Sequence, residues 1–294
     1  MILVSGATGL VGSNLIKKLS AQGKKVRGIC RNPTKVNNSD YPDEVQLLKG
    51  DILEPASLDE TLADVDTVIH LVGILFEVGG RTFADVHFKG TENLLNAAKK
   101  ANVKRFIHVS ALGTRFDAAS RYHQTKWQAE EAVRNSGLDY TIFRPSVIFG
   151  PEDKFANQFA EMVAKSPVAP ILGDGTARMQ PVWVNDVTQC LTHAIEEPTT
   201  IGQTYELGGP DILTFRQIID EILLATGKQR LKVPIPFPIL TMNAWIMERV
   251  LPSPPVTVDQ LIMAQEDNIC KADPPWQSFG ITPKSFATGI REFL

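Results

Sequence analysis

Two sets of residues in this 294-residue chain have types and spacing that are suited to chemistry. The first is a glycine triplet, Gly6, Gly9 and Gly12, which follows an apolar run and precedes an amphipathic stretch. Glycine permits a tight turn and the close approach of a pyrophosphate, whose charge is stabilised by the free N–H groups at a helix N-terminus. The second is Tyr122 and Lys126, which lie four residues apart and therefore on one face of a helix.

The Tyr122–Lys126 pair is suited to general acid–base catalysis. A tyrosine hydroxyl titrates at about 10 in water, and a nearby ammonium and a positive nicotinamide ring both favour the phenolate, so we expect a lowered pKa for Tyr122. Tyr122 then exchanges a proton near neutral pH, while Lys126 also holds the nicotinamide ribose. This spacing is common by chance, and its position after a glycine turn and several strand patterns makes it informative.

The glycine turn and the strand after it predict the cofactor and its contacts. Chains that hold NAD through its ribose carry Asp or Glu about 20 residues after the turn, but positions 13–39 contain no acidic residue. Arg31 and Lys35 occur there instead, and a guanidinium binds a 2′-phosphate that a carboxylate repels. We therefore expect NADP(H), with NAD(H) as the alternative and a solvated basic edge as the other role of these cations. The predicted contacts at the turn are Gly6, Thr8, Gly9, Leu10, Val11 and Gly12.

Two later strand ends supply further predicted cofactor contacts. Asp51 and Ile52 follow the third strand, where the carboxylate is placed to meet the adenine amino group. Leu71, Val72 and Gly73 follow the fourth strand, where they form a wall for the adenosine and pyrophosphate. Ordinary turn chemistry at the strand ends is the alternative role of both segments.

Short runs rich in Val and Ile alternate with helical patterns up to about residue 145, which predicts a Rossmann-type α/β fold. Such a fold is a doubly wound parallel sheet with helices on both faces. We expect a dinucleotide-binding domain at 1–150 and a proline-rich mixed segment at 151–294, which forms a smaller substrate lobe. The predicted strands are 2–5, 25–30, 45–49, 67–71, 105–110 and 140–143, with 180–184 and 204–207 returning to the sheet. The predicted helices are 12–21, 56–63, 83–101, 121–135, 156–165, 186–196, 214–226 and 238–250.

Composition limits the classes of partner. The net charge of −3 gives no sign of nucleic-acid binding, and no apolar run is long enough to span a bilayer. Three widely spaced cysteines, together with histidines that lack partners at metal-ligand spacing, predict a reducing cytoplasm and no metal site. The apolar, proline-rich segment 233–255 is most simply an ordinary helix packed on the lobe. A lid, a partner surface and a membrane-surface element are its alternatives.

Seven segments resemble the short-chain dehydrogenase/reductase superfamily, in its extended and atypical branches, which are related to sugar-nucleotide epimerases and dehydratases. The similarity covers about residues 1–210 and is closest to the atypical group that contains the nucleotide-binding accessory subunit of mitochondrial complex I and its bacterial relatives. The segments are G-A-T-G-L-V-G at 6–12, H-L-V-G at 70–73, G-T-E-N-L-L at 90–95, F-I-H-V-S-A-L-G at 106–113, Y-H-Q-T-K at 122–126, F-R-P-S-V-I-F-G-P at 143–151, and G-D-G at 173–175 with P-V-W-V-N-D-V at 181–187.

The resemblance implies a catalytic Ser or Thr after the fifth strand, hydrogen-bonded to the substrate carbonyl. The extended epimerases have serine where Ala111 falls, and Ser110 lies one residue away, on the other face of a strand. Ser110 is our candidate, and Thr114 is a second one from the loop. The resemblance also implies cofactor contacts at Asn93 and Pro145. Arg144 belongs to the latter segment, with a salt bridge at the strand end as its alternative role.

Three functions remain open at this point. The first is an NADP(H)-dependent oxidoreductase acting on a small carbonyl or quinone-type molecule, with Asp174 and Arg178 of the lobe touching the substrate. The second is a nucleotide-binding subunit or sensor of a respiratory or membrane-associated complex, with little turnover. A sugar-nucleotide epimerase or dehydratase is the third, and it is weakened by the lack of a basic cluster for a diphosphate. We favour the enzyme and expect a monomer.

Replacing Arg31 tests the cofactor assignment. In Arg31→Ala, NADPH loses a guanidinium contact to its 2′-phosphate, whereas NADH has no group at that position. Calorimetric titration of the nucleotide-stripped protein should therefore show NADPH affinity falling by about tenfold or more, with a much smaller change for NADH. Equal losses for the two nucleotides would contradict the assignment.

Overall fold

The computed structural model describes residues 1–36, 41–252 and 254–294, and its main feature is a seven-stranded, fully parallel sheet. The strands along the chain are β1 (Ile2–Ser5), β2 (Val26–Cys30), β3 (Gln46–Lys49), β4 (Thr67–His70), β5 (Arg105–Val109), β6 (Asp139–Pro145), β7 (Ile148–Phe149), β8 (Val168–Leu172), β9 (Arg178–Met179), β10 (Val182–Trp183), β11 (Gln203–Leu207), β12 (Leu213–Thr214) and β13 (Leu231–Ile235). The main sheet has the order β11-β6-β5-β4-β1-β2-β3, so the strand order reverses between β1 and β4. Ligands of such sheets bind beyond the carboxyl ends of the strands at this reversal.

Helices cover both faces of the sheet, as the sequence predicts. The helices are α1 (Leu10–Ala21), α2 (Gly90–Lys100), α3 (Arg121–Arg134), α4 (Ala156–Lys165), α5 (Val184–Glu196), α6 (Phe215–Ala225), α7 (Phe237–Val250), α8 (Val258–Met263) and α9 (Phe286–Ile290). One core cluster joins α1 and α5 to the sheet, and a second joins α2 and α3 to its other face. The apolar faces of these helices thereby fix the sheet from both sides.

A third core cluster lies in the C-terminal part of the chain. It is formed mainly by α4, α6, α9, β8 and the strand pair β7–β10, with large side chains such as Phe149, Phe215 and Phe286 fully buried. This cluster is separate from the two clusters that flank the main sheet. The division of the chain at residue 150 stays a prediction.

Several predicted elements differ in the structure. The predicted helix 56–63 consists of two 3₁₀ turns, Pro55–Ser57 and Glu60–Leu62, because the segment is short and Asp64 adopts a positive φ of 59° directly after it. The predicted helix 83–101 begins with a π-helical stretch, Ala84–Lys89, before α2.

Only one of the two returning strands joins the main sheet. β11 pairs with β6 and confirms the prediction at 204–207. The prediction that 180–184 also joins it is wrong, because β10 is two residues long and pairs with β7 instead. Pro181 has no N–H for a ladder and Val184 already begins α5, so the segment is too short to extend the sheet.

The segment 233–255 is not an ordinary packed helix. It comprises part of β13, all of α7 and a few following residues, and Ala244 is the only buried residue of α7. Its large apolar side chains are exposed instead, including Ile239, Met242, Trp245 and Ile246. Within the described residues, none of the helices has the length and apolar character needed to cross a membrane.

Two neighbouring histidines lie inside the sheet core, with their rings tilted by 32°. His70 and His108 have ring centroids 5.4 Å apart and are buried. The His70 nitrogens lie 2.6 Å from the Ser5 hydroxyl oxygen and 3.0 Å from that of Thr91. Neither ring nitrogen of His108 has a hydrogen-bond partner among the described residues. Burial lowers the pKa of His70 to about 3 and that of His108 well below its usual value, so both rings are neutral near pH 7.

Replacing His108 tests this account of the core. His108→Leu removes two buried polar atoms that lack partners, so the free energy of unfolding at pH 7 should stay equal or rise by about 1–3 kcal/mol. In the wild type, unfolding exposes His108, which then takes up a proton as the pH falls below about 6.5. Urea unfolding at pH 7 and pH 5 should show an acid-induced loss that is about 2 kcal/mol smaller in the variant. An identical loss in both proteins would contradict the buried neutral state of His108.

Candidate functional site

The glycine turn between β1 and α1 leaves room only for backbone. Gly6 has a φ of +78°, and a Cβ on Gly12 would lie 2.2 Å from the Gly6 carbonyl oxygen. Gly9 begins α1 without a side-chain cap, and no acidic residue lies in the first turn. The N–H groups there remain available to an anion, so the turn fits a pyrophosphate. Thr8 is exposed at this turn, and Leu10 and Val11 are partly buried in the first turn of α1.

The predicted 2′-phosphate region follows β2. Arg31 is exposed directly after this strand, and it contributes to the lowered pKa of the Asp51 carboxyl. Lys35 ends the 3₁₀ turn Pro33–Lys35, and its side chain lies outside the described residues. The structure therefore places one of the two predicted cations at the end of β2.

The Asp51 carboxylate is held by Arg81, a residue that the sequence analysis missed. The Arg81 guanidinium donates to both carboxylate oxygens, at 2.5 and 3.3 Å, and the Leu53 N–H donates to one of them at 3.0 Å. Burial raises the pKa of Asp51, but these donors outweigh burial and leave it lowered. Asp51 is thus a paired carboxylate, and its contact with adenine stays a prediction. Nothing local marks this pair, because Arg81 lies 30 residues along the chain.

The wall after β4 continues the parallel ladder. The Leu71 N–H donates to the Ser5 carbonyl at 3.1 Å, and Leu71 and Val72 are partly buried beside Gly6. The Asn93 side chain is not free at this wall. Its amide donates to the Ile52 carbonyl oxygen at 2.8 Å. Asn93 therefore fixes the loop after β3, which carries the predicted adenine contacts.

Lys126 lies buried on α3 next to the wall. Its ammonium donates to the Val109 carbonyl oxygen at 2.8 Å, and a Cβ built on Gly73 would lie 3.9 Å from its Nζ atom. Burial lowers the pKa of Lys126 to about 8, and the charge of Glu130 opposes this shift. Lys126 is therefore mostly protonated at pH 7, beside the ends of β4 and β5.

Tyr122 has a raised pKa in this structure. Its ring packs edge-on against Phe83 and His87, with centroid distances of 5.9 and 5.1 Å. Burial raises the pKa of Tyr122 to about 12. The lowering expected from the sequence concerns the protein with a bound nicotinamide and stays a prediction. The Lys126 ammonium donates to a carbonyl, and burial favours the neutral phenol. Tyr122 is thus a protonated acid near neutral pH.

His87 packs against the Tyr122 ring and is itself held by hydrogen bonds. Its Nδ1 lies 2.9 Å from the Thr125 hydroxyl oxygen, and its Nε2 lies 3.1 Å from both main-chain polar atoms of Ile74. Burial is the largest cause that lowers the pKa of His87 to about 2. His87 is thus a neutral imidazole whose nitrogens are hydrogen-bonded and whose ring packs on Tyr122. Its position in the sequence does not indicate this role.

The third catalytic residue stays a prediction. Ser110 is buried and its hydroxyl donates to that of Thr114 at 3.4 Å, so the two candidates lie together at the end of β5. Pro145 is buried, and its carbonyl accepts the Leu112 N–H at 2.8 Å. Arg144 pairs with the fully buried Glu130 at 2.8 and 2.6 Å, which is the salt bridge considered as its alternative role.

The two predicted substrate contacts of the lobe are engaged locally. Asp174 accepts hydrogen bonds from the N–H and hydroxyl of Thr176. Arg178 forms an ion pair with Asp267 at 2.5 Å. The contact of either side chain with a substrate stays a prediction.

A carboxylate from α8, far along the chain, caps the N-terminus of α3. The Asp259 carboxylate on α8 accepts the N–H groups of Arg121 and Tyr122, at 2.8 and 3.1 Å, and the Ser120 hydroxyl accepts that of His123. These donors have no partners within the helix. The first turn of the helix that carries Tyr122 and Lys126 is therefore held by the C-terminal part of the chain.

Comparison with known proteins extends these observations. The sequence model of the NAD dependent epimerase/dehydratase family matches residues 2–208. The mitochondrial NADH dehydrogenase [ubiquinone] 1 alpha subcomplex subunit 9 of Arabidopsis thaliana is 32% identical over 306 residues, which cover 99% of this chain and 76% of that protein. A ceramide reductase of Caulobacter vibrioides is 31% identical over 199 residues, 67% of this chain and 62% of that protein. The structure of a UDP-glucuronic acid 4-epimerase from Bacillus cereus shares the fold, with a TM-score of 0.76 and 22% identity. The match covers 99% of this chain and 98% of that chain.

The Asp259 cap is testable by replacement. In Asp259→Ala the N–H groups of Arg121 and Tyr122 lose their acceptor, so urea unfolding should show a loss of about 1–2 kcal/mol in the free energy of unfolding. Asp259→Asn keeps one acceptor oxygen and should lose less. Asp117→Ala removes a carboxylate that is exposed and serves as the control, with no change expected. Equal stability of the Asp259→Ala and Asp117→Ala proteins would show that the cap does not stabilise α3.

Proposed function

This chain belongs to the NAD dependent epimerase/dehydratase family, and from that membership we propose that it is an NADP(H)-dependent reductase of a carbonyl or quinone-type compound. One observation carries the proposal. Tyr122 and Lys126 share a face of α3, and the Lys126 ammonium reaches the ends of β4 and β5 where the dinucleotide turn also opens. A proton donor and a cation are thereby placed at the binding edge of the sheet.

The protonation states favour reduction. When bound, the nicotinamide supplies a hydride to the carbonyl carbon. Tyr122, which burial keeps protonated, donates its proton to the carbonyl oxygen and becomes a phenolate. The Lys126 ammonium on the same helix face stabilises that phenolate, since its pKa of about 8 leaves it charged near neutral pH. His87 keeps the Tyr122 ring in place.

Charge supports NADP(H) as the cofactor. Arg31 is exposed at the end of β2. From the glycine turn up to residue 41, none of the described residues is acidic. The Asp51 carboxylate, whose pKa Arg31 helps to lower, is paired with Arg81. A 2′-phosphate at the end of β2 therefore meets the Arg31 guanidinium, and the Asp51 charge there is compensated. The Bacillus cereus epimerase binds NAD, and a shift to NADP(H) in this chain rests on Arg31.

Charge in the lobe supports a carbonyl compound over a sugar nucleotide. A nucleoside diphosphate needs free cations, and the predicted lobe cation, Arg178, is bound by Asp267. A relative that covers 67% of this chain is a ceramide reductase, whose name describes reduction of a lipid.

A second candidate function is a subunit of a respiratory complex. The exposed apolar side chains of α7 favour it, and the mitochondrial relatives are complex I subunits. In that case the nucleotide serves as a structural ligand with little turnover. The monomeric state and the cytoplasmic location stay predictions for the enzyme.

Tyr122→Phe separates the two candidates. The variant keeps the ring that packs on Phe83 and His87 but lacks the proton donor, so kcat for NADPH-dependent ketone reduction should fall about 100-fold or more. The NADPH dissociation constant, measured by calorimetry, should stay within about twofold, because the lost hydroxyl contributes little to nucleotide binding. Tyr140→Phe, on β6, is the matched control and should keep full turnover.

The outcomes point in different directions. Unchanged turnover in Tyr122→Phe would remove Tyr122 from the mechanism. A wild-type protein that binds NADPH tightly and reduces no carbonyl or quinone compound would contradict the reductase and favour the subunit.

A further inference from the structure

A cleft of about 650 Å³ lies beside the first turn of α3. One wall is the loop before α2, with Phe76 and Phe83, and the other is the end of α7 together with α8. Phe83 lines this cleft and also packs edge-on against the Tyr122 ring, at a centroid distance of 5.9 Å. The cleft is therefore one side chain away from the proposed proton donor.

Four large apolar side chains line the cleft, two on each side. Phe76 and Phe83 face it from one side, and Leu251 and Ile262 face it from the other. Leu251 is 42% exposed, so its burial by an occupant would remove apolar surface from water.

The charges of the cleft disfavour an anion. Three carboxylates line it, Glu77, Glu248 and Asp259, against the single guanidinium of Arg121. Arg121 is already paired with Glu77 at 2.9 Å. The other two carboxylates accept main-chain N–H groups, Glu248 from Val258 and Asp259 from the start of α3. A diphosphate or a fatty acid would therefore meet net negative charge and no free donor cation.

We propose that this cleft binds the hydrocarbon chain of an uncharged, long-chain carbonyl substrate, and that the chain lies against Phe83, whose ring also packs on Tyr122. The inference rests on the proposed reductase function and names its substrate class. The apolar side chains of the walls stabilise the chain, the carboxylates exclude anionic analogues, and Phe83 lies between the chain and the Tyr122 ring.

The experiment varies chain length on the intact protein. NADPH-dependent reduction is measured with 2-butanone, 2-heptanone and 2-nonanone, and kcat/KM should rise roughly fourfold for each methylene that the cleft buries. Leu251→Asp places a further carboxylate among the apolar side chains and should remove most of this rise, with a loss of about tenfold or more for 2-nonanone. Leu224→Asp, on the exposed face of α6, is the matched control and should keep the full dependence.

A binding measurement keeps the two hypotheses apart. Calorimetric titration with 2-nonanol needs no turnover, and we expect binding that Leu251→Asp weakens and Leu224→Asp does not. Such binding without any ketone reduction would overturn the proposed activity and still support the cleft as the chain site. Ketone reduction with no dependence on chain length, or displacement of 2-nonanol by UDP-glucose, would overturn the cleft assignment.

Discussion

The close approach of α1 to the turn after β1 is the constraint on which the binding edge depends. The Gly6 carbonyl lies where a side chain on Gly12 would have to be, so backbone alone fills the space between strand and helix. β1 is flanked by β2 and β4 at the reversal of the strand order. The turn therefore points the N-terminus of α1 into the crevice that the ends of these strands leave open. A side chain at Gly12 would move the helix and with it the anion site.

The second organising feature is the burial of charge around α3. Glu130 is fully buried and bound by Arg134 and Arg144, so the middle of the helix is fixed by ion pairs, and removing the partners would leave a buried charge uncompensated. Lys126 lies one turn away, has no ion-pair partner among the described residues, and donates to the Val109 carbonyl. Burial lowers the pKa of this lysine and raises that of Tyr122, so both side chains move towards their neutral forms. The lysine remains mostly charged at neutral pH and the phenol remains protonated, which suits a reductase.

Local patterns predicted the features that depend on neighbouring residues. The glycine turn, the parallel sheet and the pairing of Tyr122 with Lys126 depend on segments of a few residues, and the structure contains the turn, the sheet and the helix. The Arg81–Asp51 and Asp259–α3 contacts join residues 30 and more than 130 positions apart, so no spacing signals them. The error at 180–184 has a local origin, since an apolar run that contains Pro181 resembles a strand in composition but lacks an N–H for the ladder. The raised pKa of Tyr122 is a property of its packing and required the tertiary structure.

The C-terminal segment links these features. α8 holds the first turn of α3 through Asp259, and the same α8 forms a wall of the apolar cleft. A chain lying in the cleft contacts α8 on one side and Phe83, which packs on Tyr122, on the other. Binding energy from a remote hydrocarbon chain is thereby available to hold α8 against α3 and to fix the Tyr122 ring. Remote binding energy that positions a reacting group raises kcat as well as affinity. A short substrate, which leaves the cleft empty, lacks this contribution even when its carbonyl group is the same.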